Sequence, residues 1–433
     1  MADPEREVTG LLQRLIQANT VNPPGRERHA QEELADYLTD AGIAVELLGA
    51  TAERPNLIAR LPGREPGPTL CFLAHMDTVL ADASEWRQDP WSGAIAEGCI
   101  WGRGAIDMKS QLAAEAVAMA SLARSGWRPQ RGSLLLVSVV DEETGGEMGA
   151  SWLTREHPEL VRCDLLLNEG AGSPFDLEGR RHYGVCCGEK GAFRLDLTAH
   201  GVAGHASQPT IGDNALVKLA PMIERLGRRQ PSYAMTWLAA AFAAGIGADP
   251  ADPSEVVRRL AAEDPKLAAI LGPMFGVTLA PTRVAASEKI NVIPSRAVLG
   301  VDARVPPGLG ESEVRAAVAE LLGEDSYELA FTERLPGNAS PDNGVLREAI
   351  DEWIAENAPG AVTVPMMMPG FTDSRFFRDA FPECVAYGFF PHAHQTLTET
   401  APLLHGRDER IDVRDLAFAT RFYVDVARRL LGR

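Results

Sequence analysis

The sequence predicts an α/β fold in which helices cover a mostly parallel central sheet and a smaller α+β domain is inserted into the chain. Segments 69–74 (TLCFLA) and 133–140 (SLLLVSVV) are continuously apolar, which is typical of strands buried on both faces of a sheet. The helical stretch 110–124 supplies a helix to cover such a sheet. Segments 191–200 and 297–305 instead alternate apolar with polar residues, so we expect a second sheet with one face in water.

The larger predicted domain begins with two helices, at 4–18 and at about 27–42, because apolar residues recur there at helical spacing. A strand at 383–389 and a closing helix at 413–432 return the chain to this domain, so we assign residues 1–188 and 336–433 to it. Its other predicted strands are 56–61, 69–74, 133–140 and 163–167.

The inserted domain is predicted for residues 189–335. Helices at about 214–226 and 311–323 and a last strand near 327–333 give the order strand, helix, strands, helix, strand. The stretch 229–282 is predicted to be helix or loop, and it lengthens the insert beyond what so small a sheet needs.

The composition indicates a globular protein that acts on small molecules. Hydrophobic residues make up 45% of the 433 residues, and 42 basic against 60 acidic side chains give a net charge of −18. A negative field of this size repels nucleic acids and anionic membrane surfaces. There is no apolar run of about 18 residues, the first residues are acidic, and the six cysteines form no C-x-x-C pair. We therefore expect a cytoplasmic protein with free thiols.

Acidic and imidazole side chains directly follow three of the predicted strands. His75 and Asp77 follow the strand at 69–74, Glu142 and Glu143 follow that at 133–140, and Glu169 follows 163–167. Ligands bind at the carboxyl ends of the strands in open sheets of this class, so these side chains are expected in one crevice.

Asp107 lies in a glycine-containing loop just before the helix at 110–124, where a carboxylate can be held between two positive centres. It is the predicted bridging ligand of a two-metal site. Histidines and carboxylates together suit zinc better than calcium or magnesium, which favour all-oxygen shells. We expect zinc, with cobalt or manganese as possible substitutes.

The adjacent Glu142 and Glu143 are expected to have different roles, because consecutive side chains leave the backbone in different directions. Glu143 is assigned as a ligand. Glu142 is assigned as the general base that moves a proton from water to the leaving nitrogen, while the metals polarise the carbonyl. Asp77 is expected to accept the ring N–H of His75.

Seven motifs follow one another along nearly the whole chain: residues 75–79 (HMDTV), 102–109 (GRGAIDMK), 141–146 (DEETGG), 168–170 (NEG), 188–191 (GEKG), 204–207 (GHAS) and 405–406 (HG). Seven motifs in this order are far more specific than any single one. The set resembles the di-zinc family of aminoacylases, acetylornithine deacetylases, succinyl-diaminopimelate desuccinylases and glutamate carboxypeptidases.

The resemblance implies a zinc-peptidase-type catalytic domain, made of the two outer segments, and an inserted ferredoxin-like lid that often dimerises. It also implies a cis peptide at Asp107–Met108 and two zinc ions per chain with Asp107 shared between them. Which ion each terminal ligand binds stays open. The implied ligands are His75, Asp107, Glu143, Glu169 and His405.

The resemblance further implies substrate contacts. His205 matches the lid histidine that reaches the reacting carbonyl, often in the partner subunit's site, and Asn291 and Arg304 match residues that contact a substrate carboxylate. Gly370 and Arg375 offer a backbone loop and a second guanidinium, whose planar fork suits a carboxylate.

The expected function is metal-dependent hydrolysis of an amide bond next to a free carboxylate, with N-acyl amino acids or dipeptides as substrates and a homodimer formed through the lid. Acetylornithine-type deacetylation or desuccinylation is the alternative within this class. A binding protein that kept the fold after losing catalysis is the alternative outside it. His392 and His394 compete with His405 as the late ligand, and we prefer His405 because of its surrounding motif.

Overall fold

The computed structural model describes the helices and strands of residues 4–323 and 327–432. In chain order the helices are α1 Pro4–Gln17, α2 Arg28–Asp40, α3 Lys109–Arg124, α4 Ala150–Glu156, α5 Pro158–Val161, α6 Ala215–Arg228, α7 Trp237–Gly245, α8 Pro253–Glu263, α9 Pro265–Leu271, α10 Glu311–Leu322, α11 Val345–Asn357, α12 Ser374–Ala380, α13 Leu397–Thr400 and α14 Val413–Leu431. The strands are β1 Ala44–Leu48, β2 Asn56–Pro62, β3 Glu65–His75, β4 Ile95–Ala96, β5 Cys99–Trp101, β6 Arg131–Val139, β7 Leu165–Asn168, β8 Pro174–Leu177, β9 Arg180–Glu189, β10 Gly191–Ala192, β11 Leu195–His200, β12 Gly204–His205, β13 Thr278–Ala285, β14 Val292–Ile293, β15 Arg296–Val305, β16 Glu328–Phe331, β17 Asn338–Ala339, β18 Val362–Met368, β19 Val385–Gly388 and β20 Arg410–Asp412.

The large sheet has a parallel centre. Its strands lie in the order β1, β2, β6, β3, β7, β19, β9 and β17, and β8 and β18 also pair with β9. The pairs β6–β3, β3–β7 and β7–β19 are parallel, whereas β1 and β2 add an antiparallel edge. The predicted α/β fold with a helix-covered central sheet is confirmed.

Helices cover both faces of this sheet. On β3, Leu70 and Phe72 point into a core shared with α1, α3 and α14. Cys71 and Leu73 point to the opposite face, into a core shared with α4 and α12. Burial on both faces explains why the strand sequence is continuously apolar. Among the described residues, no helix has both the length and the apolar character needed to cross a bilayer.

A second, antiparallel sheet has helices on one face. Its order is β10, β15, β11 and β16, with β13 also paired to β15. Leu197 and Leu299 pack under α6 and α10, while Asp196 of β11 is only partly covered. The predicted strand at 191–200 is interrupted at residues 193–194 and forms β10 and β11 instead.

Helices α7, α8 and α9 join the core of the large sheet rather than that of the small one. They lie within the segment predicted as the insert, yet Leu238, Phe242 and Leu260 pack in the core of the larger domain. The ring of Phe242 lies 6.3 Å from that of Phe175, which belongs to β8. The chain therefore crosses from the small sheet to the large domain and back between α6 and β13.

Candidate metal centre and active site

The candidate site lies where three neighbouring strands of the large sheet end. β6, β3 and β7 are adjacent and parallel, so their carboxyl ends meet at one edge. β3 ends at His75, the turn after β6 carries Glu142 and Glu143, and Glu169 directly follows β7. The order of the strands thus brings these side chains together as expected for this class of sheet.

Asp107 lies between two histidines. Its Oδ1 is 3.0 Å from Nε2 of His75, and its Oδ2 is 3.1 Å from Nε2 of His405. His75 Nε2 is also 3.7 Å from Glu169, and His405 Nε2 is 3.2 Å from Glu143. Two groups of three ligand atoms result, each within 4.8 Å, and Asp107 belongs to both.

The charges at this site fit divalent cations. Burial raises the pKa of Glu169, and the nearby Asp107 carboxylate raises it further. Burial alone would raise the pKa of Asp107, but hydrogen bonds from His405 and His75 hold it below its ordinary range. Hydrogen bonds to Asp107 and Glu143 raise the pKa of His405 to about 10. Carboxylates packed this closely need positive charge between them, and nitrogen and oxygen donors of this kind suit zinc.

Glu142 and Glu143 point to different parts of the site. Glu143 faces His405, whereas the Glu142 carboxylate lies 4.0 Å from Nε2 of His75 and belongs to neither ligand group. Both residues sit in a short 3-10 turn that follows Asp141, whose φ of 75° is left-handed. Burial raises the pKa of Glu142, with further increases from neighbouring carboxylates.

Asp77 is placed differently from the expectation. The Nδ1–H of His75 donates to the main-chain oxygen of Asp77 at 2.9 Å, while the carboxylate lies 3.7 Å away. The Asp77 carboxylate instead accepts the main-chain N–H groups of Glu142 and Glu143, each at 3.2 Å, and the amide of Asn22 at 2.9 Å. The partner of the ring is therefore the main chain of Asp77 and not the predicted carboxylate, which instead holds the turn of Glu142 and Glu143.

Comparison with known proteins identifies the family to which this fold and site belong. The model of "Peptidase family M20/M25/M40" matches residues 71–429. The chain belongs to this M20 family. A succinyl-diaminopimelate desuccinylase of Xanthobacter autotrophicus is 27% identical over 425 residues, which cover 95% of this chain and 96% of the relative.

Solved M20 structures have the same fold. An M20 family metallo-carboxypeptidase from Sulfolobus solfataricus superposes with a TM-score of 0.71 at 18% identity, covering 98% of this chain and 99% of that one. A dinuclear metal binding M20 peptidase from Bacillus subtilis has a TM-score of 0.58 at 15% identity, covering 99% and 98%. The chain is a metal-dependent hydrolase of amide bonds, and this prediction is confirmed.

Two of the predicted substrate residues, His205 and Asn291, lie on the exposed surface of the small-sheet domain. Nδ1 of His205 accepts hydrogen bonds from the main-chain N–H of Ser207 at 3.2 Å and from its hydroxyl at 2.8 Å, so Nε2 is left for other partners. Asn291 is exposed on the neighbouring loop, and its main-chain oxygen accepts from Ala206. Within the described residues, no hydrogen bond or ion pair joins His205 or Asn291 to the metal ligands.

The two predicted arginines flank one aromatic ring. The guanidinium carbons of Arg304 and Arg375 lie 5.5 and 5.6 Å from the centre of the Phe371 ring. Arg304 donates to Asp302 at 2.6 Å, whereas the Asp379 carboxylate is 4.0 Å from Arg375. Gly370 directly precedes Phe371 in the chain. The small sheet, through β15, and the larger domain, through α12, therefore each bring one cation to this ring.

The two competing histidines have other partners. His392 is buried, and its Nδ1 lies 3.2 Å from the Ser173 hydroxyl. The main-chain N–H of His394 donates to Asp415. Neither belongs to a ligand group among the described residues, whereas His405 does.

Sequence reasoning missed two buried carboxylates at the site. Glu409 accepts the main-chain N–H of Asp107 at 2.9 Å. Asp373 is buried with no partner for its Oδ1 among the described residues, and burial raises its pKa to about 8. Glu409 lies four residues after His405, and Asp373 lies two residues before Arg375. Neither could be recognised from its neighbours in the sequence, because their surroundings at the site come from distant segments of the chain.

Proposed function

We propose that this M20 hydrolase cleaves N-acyl amino acids or dipeptides that carry a free carboxylate beside the scissile amide bond, using two zinc ions. The observation that carries the proposal is Asp107, which offers one oxygen to each of two ligand groups. His75 and Glu169 complete one group, and Glu143 and His405 the other. When bound, the ions would polarise the carbonyl and lower the pKa of water from about 15.7 towards about 7.

Glu142 is the proposed general base. Its carboxylate is close to the ligands without belonging to them, so it is free to carry a proton. It takes the proton of the attacking water on a carboxylate oxygen and gives it to the leaving nitrogen. Asp77 supports this role, because its carboxylate fixes the main chain of the Glu142 turn.

The substrate carboxylate is proposed to bind at Arg304 and Arg375, beside Phe371 and Gly370, with Asn291 as a further polar contact. Nε2 of His205 is proposed to stabilise the oxyanion. Within the described residues, no hydrogen bond or ion pair joins His205 or Asn291 to the proposed ligands, so we propose that lid movement or a second copy of the chain brings them to a site.

A homodimer formed through the lid is the proposed assembly. Large apolar side chains are exposed on the lid, among them Ile211, Val217 and Ile290, with exposed fractions of 70%, 64% and 101%. We propose that the dimer interface buries these side chains. Within the described residues, the strand β13 pairs only with β15 and leaves its other edge open. Light scattering at the mass of one chain would contradict the dimer, and we expect Val217→Glu to give that mass.

Desuccinylation is the second candidate, favoured by the name of the Xanthobacter autotrophicus relative. The two candidates are tested with one panel: N-acetyl amino acids, dipeptides, N-succinyl amino acids, and N-acyl amines that lack the carboxylate, each with zinc, cobalt or manganese. We expect hydrolysis of the first two classes and none of the amines. Hydrolysis of N-succinyl substrates alone would favour the second candidate, and equal hydrolysis of the amines would contradict both.

Replacement of the proposed base tests the catalytic step. We expect Glu142→Gln to keep two bound ions per chain and to lower turnover about 10²–10⁴-fold, because a proton carrier is lost and no ligand is. Metal content is measured by mass spectrometry on the same samples as turnover. Undiminished turnover in this variant would remove Glu142 from the mechanism.

A further inference from the structure

A buried glutamate holds the loop that carries Asp107. The Glu409 side chain is inaccessible to solvent, and one of its oxygens accepts the main-chain N–H groups of Ile106 at 2.6 Å and Asp107 at 2.9 Å. The other oxygen accepts the N–H of Gly104 at 3.2 Å. A single carboxylate therefore satisfies three donors of the loop and fixes the main chain of the bridging residue.

Arg103 connects this carboxylate to the segment of His405. Its Nη1 donates to Glu409 at 2.6 Å, and its Nη2 donates to the main-chain oxygens of Gly406 at 2.9 Å and of His405 at 3.4 Å. The guanidinium is buried as well. The Arg103–Glu409 pair thus joins two loops that are 306 residues apart in the sequence.

His405 depends on its main chain for its position. Its side chain is 56% exposed, so little packing holds the ring, and its φ of 55° is left-handed. Asp107, which the ring faces, is only 12% exposed. A shift of the His405 segment would therefore move the ring away from Asp107 and Glu143 with little resistance from side-chain packing.

We propose that Arg103 and Glu409 are positioning residues that set the separation of Asp107 and His405. They would thereby raise the affinity for the ion held by Asp107, Glu143 and His405 more than for the other ion. The inference rests on the proposed two-ion function. The pair makes no hydrogen bond or ion pair with His75 or Glu169 within the described residues, so the ion held there should be affected less. Loss of a partner behind metal ligands typically weakens metal affinity about 10–100-fold.

The test is stepwise titration of the metal-free protein with Co²⁺, followed by its visible absorption, in wild type and in Glu409→Gln. Glutamine keeps the volume of the side chain, but its amide N–H₂ cannot accept hydrogen bonds, so some of the main-chain N–H groups or Arg103 lose their acceptor. We expect one of the two binding steps to weaken about 10–100-fold with a changed cobalt spectrum, and the other step, which shares only Asp107 with the disturbed group, to weaken less. Turnover should return when the metal concentration is raised.

Two further variants make the result specific. Glu115→Gln is the matched control, because Glu115 is also fully buried but bonds to Gln111 of its own helix and has no hydrogen bond to a ligand loop within the described residues. It should bind both ions as wild type does. Arg103→Lys keeps the charge but loses the forked reach to the His405 segment, and it should weaken the same step even if Glu409→Gln does not fold.

Equal weakening of both steps, or of neither, would overturn the positioning role. A wild-type protein that binds fewer than two ions would instead overturn the proposed two-ion function, so the two failures are distinguishable. Weakening in Glu115→Gln equal to that in Glu409→Gln would also overturn the inference, since any buried carboxylate would then have the same effect.

Discussion

The metal centre and the lid differ in how completely the folded chain assembles them. At the centre, His75 and His405 lie 3.0 and 3.1 Å from Asp107, and the ligand groups are formed within one domain. In the small-sheet domain, His205 and Asn291 are exposed, and within the described residues no hydrogen bond or ion pair joins them to these candidate ligands. The candidate ligand groups are therefore already assembled in the fold, whereas the proposed substrate contacts of His205 and Asn291 are not.

The anchoring of the two regions explains this difference. Three of the candidate ligands lie at or just after the ends of strands in the centre of a sheet covered on both faces, where close packing fixes their backbone. His205 lies in β12, which pairs with the two-residue strand β14. Variants of the two regions should therefore separate metal loss from loss of turnover.

The largest effect is expected for Asp107→Ala. Both ligand groups lose a member, so both ions should leave, and turnover should fall by about 10⁶-fold or more, to the uncatalysed rate. Metal analysis and turnover are measured together, with Asp40→Ala, an exposed aspartate at the end of α2, as the control. If one ion stayed bound, Asp107 would not be shared and the two groups would be independent sites.

A smaller effect is expected for His205→Ala. Metal content should be unchanged and kcat should fall about 10²–10³-fold, as for other oxyanion donors. Mixing this variant with Glu142→Gln sharpens the comparison. If the lid acts on the partner's site, mixed dimers combine an intact centre with an intact lid, and activity should rise above that of either variant alone. No rise on mixing would place His205 in the site of its own chain.

The smallest effect is expected at the junction of the two regions, where Lys190 is buried and its Nζ donates to the Thr278 hydroxyl at 3.4 Å. Burial lowers its pKa from 10.5 to about 7. Between these values the unfolded chain binds a proton that the folded chain does not, so stability rises with pH, by at most about 1.4 kcal/mol per pH unit for this group.

Lys190→Met should remove this contribution, which leaves a flatter dependence of the unfolding free energy on pH between about 7 and 10.5. Urea unfolding at several pH values measures it. Exposed Lys266→Met is the control, and Lys109, whose pKa burial also lowers to about 7, contributes equally to all three proteins. An unchanged slope in Lys190→Met would mean that Lys190 stays charged in the fold.

Much of the fold and the candidate site was predictable from local patterns. Continuous apolar runs predicted β3 and β6, and the residues that follow these runs, such as His75 and Glu143, were predicted as ligands from their place after a strand. The strand β9 was missed, because its RRHYGVCCGE sequence begins with charged residues and has no clean periodicity. The assigned roles of the site residues stay predictions, whereas the fold and the hydrolase family are confirmed.

The sequence by itself determined the parallel centre of the large sheet, the family and the identity of the ligand candidates, because periodicity and motifs are local properties of the chain. Only the tertiary structure decided that α7 to α9 pack on the larger domain, that the main chain of Asp77 and not its carboxylate bonds His75, and that Glu409 reaches Asp107. These contacts depend on which surfaces meet after folding, and hydrogen bonds between segments 306 residues apart, such as that of Arg103 with Glu409, leave no trace in a local pattern.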